Sequence, residues 1–162
     1  MAELTAARLR ELLNYDPETG IFYWREKRRP RIKAGDRAGT FGVIGYRQII
    51  IEGGHYTEHR LAWLYVHGEW PSEIDHKNGV RDDNRIANLR IATRSQNVQN
   101  IAGFSTNRSG FKGVGRHNGR WRARIAVGCR SIWLGHFKTA EDAYAAYCEA
   151  AHKYHGEFAR VA

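Results

Sequence analysis

The residues that decide the fold of the N-terminal part of the chain read Ile74-Asp75-His76-Lys77-Asn78-Gly79. An Asp-His pair runs into an Asn-Gly dipeptide, which is typical of a strand that ends in a tight hairpin turn. Further along, Thr93-Arg94-Ser95-Gln96 has the spacing of a capping box and predicts a helix that starts at Thr93, with Asn97 in its first turn. The expected unit is therefore strand, turn, strand and helix.

The residue types in this unit suit hydrolysis of a phosphodiester. A histidine has an ordinary pKa of about 6.5, which allows it to take a proton from water near neutral pH. The Asp75 carboxylate and the Asn97 carbonyl are hard oxygen ligands for Mg²⁺, with phosphate and water completing its shell. Adjacent strand residues point to opposite faces, so Asp75 and His76 need a bent or irregular strand end to serve one site. Such a fragment taken alone is more often only a turn.

Residues 59–100 hold further polar positions around this pair, namely His59-Arg60, Asn84-Arg85, Asn88-Leu89-Arg90, Thr93, Asn97 and Asn100. Together these positions resemble the HNH homing-type endonucleases of phages and bacteria, a family with a ββα-metal fold. Residues 1–58 resemble the N-terminal part of such phage proteins through weaker motifs.

This resemblance implies a role for each motif residue. Asp75 and Asn97 would hold a divalent cation, Mg²⁺ or another such as Mn²⁺, and His76 would be the general base that activates water. Asn88 would hold the loop and orient His76 through hydrogen bonds. The last His of the family motif is replaced by Asn97, which keeps an oxygen ligand.

Four other side chains near the motif leave two interpretations open. His59 opens a predicted helix, and packing or capping of that helix is favoured over a role in the site. For Arg85, Arg90 and Arg94 we expect contact with DNA phosphate, although each taken alone fits a solvated charge equally well.

The charge of the chain indicates an anionic partner. The 162 residues have a formal net charge of +9, and no acidic residue occurs between Asp83 and Glu141, where 11 Lys and Arg residues lie. A solvated surface usually mixes both signs, so we expect binding to nucleic acid. The two cysteines form no CxxC pair, so we expect no structural zinc site and a reduced chain.

Periodicity predicts the other elements of the N-terminal part. We expect a helix capped by Thr5 that ends near Asn14, and a helix over 58–67 closed by Gly68. Between them we expect a turn at 16–20, a strand at 21–24, a phosphate-contacting basic loop at 25–37, and a hairpin of strand 46–51, turn 52–54 and return strand from 55.

The C-terminal part predicts three strands, at 113–117, 121–127 and 131–137, followed by a helix that Thr139 caps and Gly156 ends. The expected buried stripe of this helix is Ala143, Tyr147, Ala150, Ala151 and Tyr154. Alternation places Trp121, Ala123, Ile125, Val127, Ile132 and Leu134 towards the helix. The opposite face then holds Arg122, Arg124, Ser131 and Trp133, which are open to the DNA major groove. The alternative is a small α+β domain whose arginines only solubilise it.

Residues 110–160 resemble the plant ethylene-response-factor (APETALA-type) DNA-binding domain. The matching stretches are Gly110-Phe111-Lys112-Gly113-Val114, Gly119-Arg120-Trp121, Ile132-Trp133-Leu134-Gly135 and Thr139-Ala140-Glu141-Asp142-Ala143. The resemblance implies that Lys112, Arg120, Arg122, Arg124 and Trp133 face DNA, and we expect Arg116 to belong to the same DNA-facing set. Gly115 stands where the family usually has Arg, and Arg124 where it usually has an acid, so the family's preferred site does not carry over.

We therefore predict an α+β protein with a ββα-metal nuclease domain at 1–103, a linker at 104–109 and a three-stranded antiparallel sheet on one helix at 110–162. The predicted function is metal-dependent cleavage of duplex DNA. The alternatives are a DNA-binding transcriptional regulator with an inactive nuclease fold, and a structural or RNA-binding protein. We expect a monomer, with a dimer left open, in the cytoplasm of a bacterial or phage-infected cell. The sequence has no apolar run of membrane-spanning length and no apolar signal core, so we expect no membrane contact.

Overall fold

The computed structural model describes residues 3–100, 108–128 and 130–161 and divides the chain into two compact units, Met1–Thr93 and Arg94–Ala162. Most of the predicted linker, residues 104–107, and Cys129 lie outside the described residues. The predicted α+β class is confirmed, since each unit combines helices with antiparallel sheet. Among the described residues, no helix is both long and apolar enough to cross a bilayer.

The first unit contains two helices and three small antiparallel sheets. Its helices are α1 (Ala6–Leu12) and α2 (Glu58–His67). Its strands are β1 (Leu13–Asp16), β2 (Ile21–Trp24), β3 (Thr40–Phe41), β4 (Arg47–Ile51), β5 (Gly54–Thr57), β6 (Ile74–His76) and β7 (Leu89–Ile91). They pair as β1-β2, β3-β4-β5 and β6-β7. The core is formed by fully buried apolar side chains of Leu9, Leu13, Phe22, Ile49, Ile51, Leu61 and Leu64.

The start of this unit contains one strand that was not predicted, β1. Thr5 caps α1 as expected, but the helix ends at Leu12 rather than near Asn14, because the chain continues directly into β1. Leu13 fits a helical and an alternating pattern equally well, and pairing with β2 decides between them. The turn at Asp16 then closes a hairpin, with the Thr19 hydroxyl donating to Asp16 Oδ2 at 2.7 Å.

The second unit is a three-stranded sheet with one long helix across it. Its elements are α3 (Arg94–Gln99), β8 (Val114–His117), β9 (Arg120–Val127), β10 (Arg130–Phe137) and α4 (Ala140–His155), and the strand order is β10-β9-β8. The Thr139 hydroxyl accepts from the Asp142 amide at 3.1 Å, as the cap prediction requires. Ala123 and Ile125 are buried against the helix residues Ala143 and Tyr147.

The predicted helix stripe is wrong at one position. Tyr154 is 41% exposed, and the buried residue of the last turn is His155, whose Nε2 lies 2.9 Å from the Ala126 carbonyl oxygen. Ala143, Tyr147, Ala151 and His155 follow one another at intervals of four residues, so the buried row runs through 155 rather than 154.

Candidate active site and nucleic-acid interface

The Asp-His pair lies at the end of β6, where the hairpin with β7 places Asp75 opposite Arg90 and His76 opposite Leu89. Arg90 donates to Asp75 Oδ2 from Nη2 at 2.6 Å and from Nε at 2.9 Å, and both side chains are largely buried. These two bonds hold the carboxylate in one orientation. Pairing stays regular through His76, so the bent or irregular strand end expected there is not seen. A turn follows, in which the Gly79 amide donates to the His76 carbonyl at 2.8 Å.

The His76 imidazole is buried and hydrogen bonded. Its Nε2 lies 3.1 Å from Oδ1 of Asn84. Burial lowers the pKa of His76, although the Asn84 hydrogen bond and nearby aspartates act to raise it. The imidazole is therefore neutral at neutral pH, which is the form that accepts a proton from water.

A second histidine lies beside His76. The ring centroid of His59 is 5.1 Å from that of His76, edge to face, and Tyr46 covers both rings at 4.9 and 5.9 Å. Burial lowers the pKa of His59 to about 3, with further contributions from His76 and Arg60. His59 also contacts the residue that precedes its helix, since Thr57 Oγ1 lies 3.4 Å from its Nε2. His59 therefore packs at the start of its helix and also lies next to His76, the candidate base.

Behind His76 lies a buried polar chain that the sequence did not reveal. Glu58 Oε1 accepts from Arg47 Nε at 3.1 Å, and Glu58 Oε2 accepts from Asn84 Nδ2 at 3.1 Å. Glu58 and Asn84 are each 1% exposed. Burial raises the pKa of Glu58 even though Arg47 and Asn84 act to lower it. Gly39 leaves room for this carboxylate, because a Cβ there would lie 2.3 Å from Glu58 Oε1.

Asn88 closes the loop that follows His76. Its Oδ1 accepts from the Asn78 amide at 3.1 Å, and its Nδ2 donates to Asn78 Oδ1 at 3.1 Å and to the Asp83 carbonyl at 2.8 Å. These bonds hold the loop, as the family resemblance implies for this position. The hydrogen bond at Nε2 of His76 is made by Asn84, for which the motif predicted no role.

The remaining predicted residues of the motif are placed as follows. Arg85 is exposed and pairs with Asp83 at 2.6 and 2.7 Å, and this bond holds the pKa of Asp83 at about 2. Arg94 and Asn97 lie on α3 in the second unit, with Arg94 exposed and the Asn97 Oδ1 atom shielded from solvent. The structure therefore gathers Asp75, His76 and Asn88 on one hairpin of the first unit.

The oxygen ligand that this hairpin offers, the Asp75 carboxylate, fits a cation that is shared with the substrate. Mg²⁺ usually takes one or two protein carboxylates and fills its shell with phosphate oxygens and water. Within the described residues, no group of three or more His, Cys, Asp or Glu side chains is placed to hold a metal ion. Asp75 offers one hard carboxylate with a fixed orientation. One such ligand suits a metal held jointly with a phosphodiester.

The outer face of the C-terminal sheet carries the predicted arginines and tryptophan. Arg120, Arg122 and Arg124 alternate along β9, away from the buried Ala123 and Ile125. Trp133 lies opposite Arg124 in the register and is 54% exposed. The alternation that predicted these two faces is confirmed by burial.

A β-bulge and two histidines on this face were not predicted. Register shifts between Trp133 and Gly135, and the extra residue keeps both Trp133 and His136 on the outer face. His136 packs edge-on against Trp133 at 4.7 Å and stacks on His117 at 5.7 Å. The face is therefore a mixed surface of arginine, tryptophan and histidine.

Two other residues of the predicted DNA-facing set, Arg116 and Lys112, have surroundings that were not predicted. Arg116 is on the helix side of the sheet, because it pairs in register with Trp121, which packs on that side. Its guanidinium stacks over the Trp121 ring at 5.1 Å. Lys112 is half-buried, and burial together with the nearby charge of Arg160 lowers its pKa. Gly115 lies beside Arg122 and leaves the outer face open at the place where the plant family usually carries Arg.

Comparisons with known proteins follow the two resemblances. Residues 56–99, which contain Asp75, His76, Asn88 and Asn97, match a family model described as HNH endonuclease. The chain is 38% identical over 122 residues to the AP2-like ethylene-responsive transcription factor PLT2 of Arabidopsis thaliana, covering 68% of this chain and 21% of that protein. It is 36% identical over 91 residues to the ethylene-responsive transcription factor WRI1 of the same plant, covering 54% and 19%.

A rice relative is similar to the same degree. The AP2-like ethylene-responsive transcription factor CRL5 of Oryza sativa subsp. japonica is 34% identical over 117 residues, 65% of this chain and 18% of that protein. The chain thus spans about a fifth of the length of the curated relatives it matches. Both resemblances inferred from the motifs, to HNH endonucleases and to ethylene-response-factor domains, are confirmed.

Proposed function

We propose that this chain is a divalent-metal-dependent DNA endonuclease, in which residues 1–103 hydrolyse phosphodiester bonds and the C-terminal sheet and helix, residues 110–162, bind duplex DNA. The observation that carries the proposal is the hairpin that presents a fixed carboxylate and a buried neutral imidazole at successive positions, Asp75 and His76. This hairpin lies inside the segment that resembles HNH endonucleases.

In the proposed reaction His76 accepts a proton from the attacking water, and the imidazole keeps its place through its bond to Asn84. Asp75 is the metal ligand of the first unit, oriented by Arg90. When bound, the cation polarises a phosphoryl oxygen and neutralises the charge that develops on it. The role of Asn97 as a further oxygen ligand stays a prediction from the family resemblance.

The outer face of the C-terminal sheet supplies the proposed binding surface. Its arginines can hold phosphate or reach guanine in the major groove, and Trp133 and His136 offer flat surfaces to sugar and base edges. Joining two DNA-binding modules in one chain raises the affinity without new contacts.

The basic segment 25–37 supplies a proposed third contact, with phosphate. Its cations are exposed, and the segment is anchored where the Trp24 amide donates to the Asp36 carbonyl at 2.9 Å and the Gly35 amide to the Trp24 carbonyl at 2.7 Å. Arg28 stacks over the Trp24 ring at 5.0 Å. An ordered cationic loop of this kind favours the sugar-phosphate backbone over individual bases.

A DNA-binding regulator with an inactive nuclease unit is the second candidate, because the plant relatives are named as transcription factors. Cleavage of supercoiled plasmid decides between the two functions. We expect nicking with Mg²⁺, none with EDTA, and none with His76→Ala, whereas His55→Ala, at an exposed histidine of the same unit, retains activity. Tight duplex binding without cleavage under all conditions would favour the regulator, and preference for single-stranded RNA would favour an RNA-binding protein.

A further inference from the structure

We infer that Asn84, held by Glu58 and Arg47, fixes His76 in the tautomer with its proton on Nε2 and so makes Nδ1 the nitrogen that takes the proton from water. The use made of Nδ1 rests on the proposed function, whereas the tautomer itself does not. Asn84 acts through His76 and is therefore a positioning residue.

The orientation of the Asn84 amide follows from Glu58. An ionised carboxylate has only acceptor oxygens, and Glu58 Oε1 is already bonded to Arg47 at 3.1 Å. The Asn84 atom that lies 3.1 Å from Glu58 Oε2 must therefore be the amide nitrogen. A reversed amide would place two acceptor oxygens in contact inside the protein and leave a buried polar group unsatisfied.

The orientation of the amide fixes the ring. With Nδ2 on Glu58, the carbonyl oxygen of Asn84 faces His76 Nε2 at 3.1 Å. A carbonyl oxygen only accepts, so Nε2 must carry the hydrogen, and a neutral imidazole has one N–H. The lone pair then belongs to Nδ1. Each bond thus determines which atom donates in the next one, from Arg47 through Glu58 and Asn84 to the imidazole, where it decides which ring nitrogen carries the hydrogen.

The main chain of Asn84 is clamped as well as its side chain. The Tyr15 hydroxyl donates to the Asn84 carbonyl at 2.7 Å. The hairpin turn at Gly20 packs against the same peptide, since a Cβ on Gly20 would lie 2.4 Å from the Arg85 nitrogen and 2.5 Å from the Asn84 carbonyl carbon. The β1-β2 hairpin, which otherwise has no part in the site, therefore positions Asn84.

The first test is the protonation pattern of the His76 ring nitrogens in the intact chain, read by long-range ¹H–¹⁵N NMR without added metal. His76→Ala identifies the signals among the eight histidines. We expect Nε2 to show the shift of a protonated ring nitrogen and Nδ1 that of an unprotonated one. A proton on Nδ1 in the wild-type protein would overturn the inference, whatever its nuclease activity.

Two variants test the chain of bonds. Asn84→Leu removes the acceptor, and we expect a mixture of tautomers and a single-turnover cleavage rate lower by about 100-fold, as for a misplaced catalytic group. The exchanged pair Asn84→Asp with Glu58→Gln keeps the net charge and reverses only the bond between positions 58 and 84. Residue 58 still offers an oxygen to Arg47, and residue 84 still offers an oxygen to His76 Nε2. We expect it to restore the Nε2–H tautomer and most of the rate.

The two proposals fail in different ways. An Nε2–H tautomer in a protein that cleaves no DNA would leave the positioning chain standing and refute the proposed function. Cleavage by a protein whose tautomer is the same in wild type, Asn84→Leu and the exchanged pair would support the nuclease and remove Asn84 from its mechanism.

Discussion

Replacing Arg47 with methionine tests the buried chain through stability rather than activity. Arg47 Nε lies 3.1 Å from Glu58 Oε1, and the two side chains are 9% and 1% exposed. Methionine keeps a straight apolar stem near Phe41, over which the guanidinium lies at 4.7 Å. Removing one partner of a buried ion pair costs about 3–5 kcal/mol, because the other charge stays buried without compensation. This is a large part of the roughly 5–15 kcal/mol that stabilises an ordinary domain.

The direction in which the pKa of Glu58 changes predicts how the stability loss of Arg47→Met depends on pH. Burial already holds the pKa of Glu58 above its ordinary value, and loss of Arg47 removes an interaction that lowers it, so the pKa rises further. A folded-state pKa above the unfolded value means that the folded protein binds more protons in that interval, so stability increases as pH falls through it. Each unit of further increase corresponds to about 1.4 kcal/mol. The deficit of Arg47→Met is therefore largest at neutral pH and shrinks in acid.

Urea denaturation at pH 7.5 and pH 5, followed by the backbone NMR signals of residues 3–93, measures this effect. Arg8→Met is the matched control, since Arg8 pairs with Glu11 and Glu52 on the surface and its loss should leave the midpoint close to that of wild type. Arg47→Met combined with Glu58→Gln should recover much of the loss. A deficit no larger than that of Arg8→Met, or one independent of pH, would refute the reasoning.

Two further predictions concern the C-terminal unit. Gly113→Ala should cost about 1–3 kcal/mol more than Gly119→Ala, because a Cβ at Gly113 would lie 2.2 Å from the Tyr147 ring, while both glycines share a positive φ and Gly119 has open space; equal losses in urea denaturation would show that the Tyr147 ring yields freely. Arg122→Ala with Arg124→Ala should weaken duplex binding and flatten the log–log salt dependence by about 0.9 for each phosphate that is no longer neutralised, whereas Lys153→Ala, on the helix, should not; an unchanged slope in the double variant would remove the sheet from the interface.

Much of the C-terminal unit could be predicted because its apolar residues follow one period. Ala123 and Ile125 alternate with arginines, so the buried face of β9 follows from the spacing alone. The bulge at Gly135 has no such signature. An extra residue breaks the period without showing which residue leaves it, and only pairing with the neighbouring strand reveals the place.

The candidate site was predictable only where its residues are neighbours in sequence. Asp75 and His76 were found because an Asp-His pair before Asn-Gly is a local pattern. The chain behind them joins side chains from separate elements, with Glu58 lying 26 residues from Asn84 and 11 from Arg47. No periodicity links such positions, because the bonds depend on how β4, α2 and the loop before β7 pack together. Asn84 was recognised as part of the motif, but nothing in the sequence indicated its contacts with His76 and Glu58.

The measurement that tests the central claim most directly is a comparison of binding and cleavage on one end-labelled duplex in Mg²⁺, with wild type, His76→Ala and the Arg122→Ala/Arg124→Ala variant. We predict that His76→Ala binds as tightly as wild type and cleaves nothing. The arginine variant should bind more weakly and recover the wild-type cleavage rate at saturating protein. Undiminished cleavage by His76→Ala, or a rate that stays low in the arginine variant once the duplex is fully bound, would contradict the division of chemistry and binding between the His76 site and the C-terminal sheet.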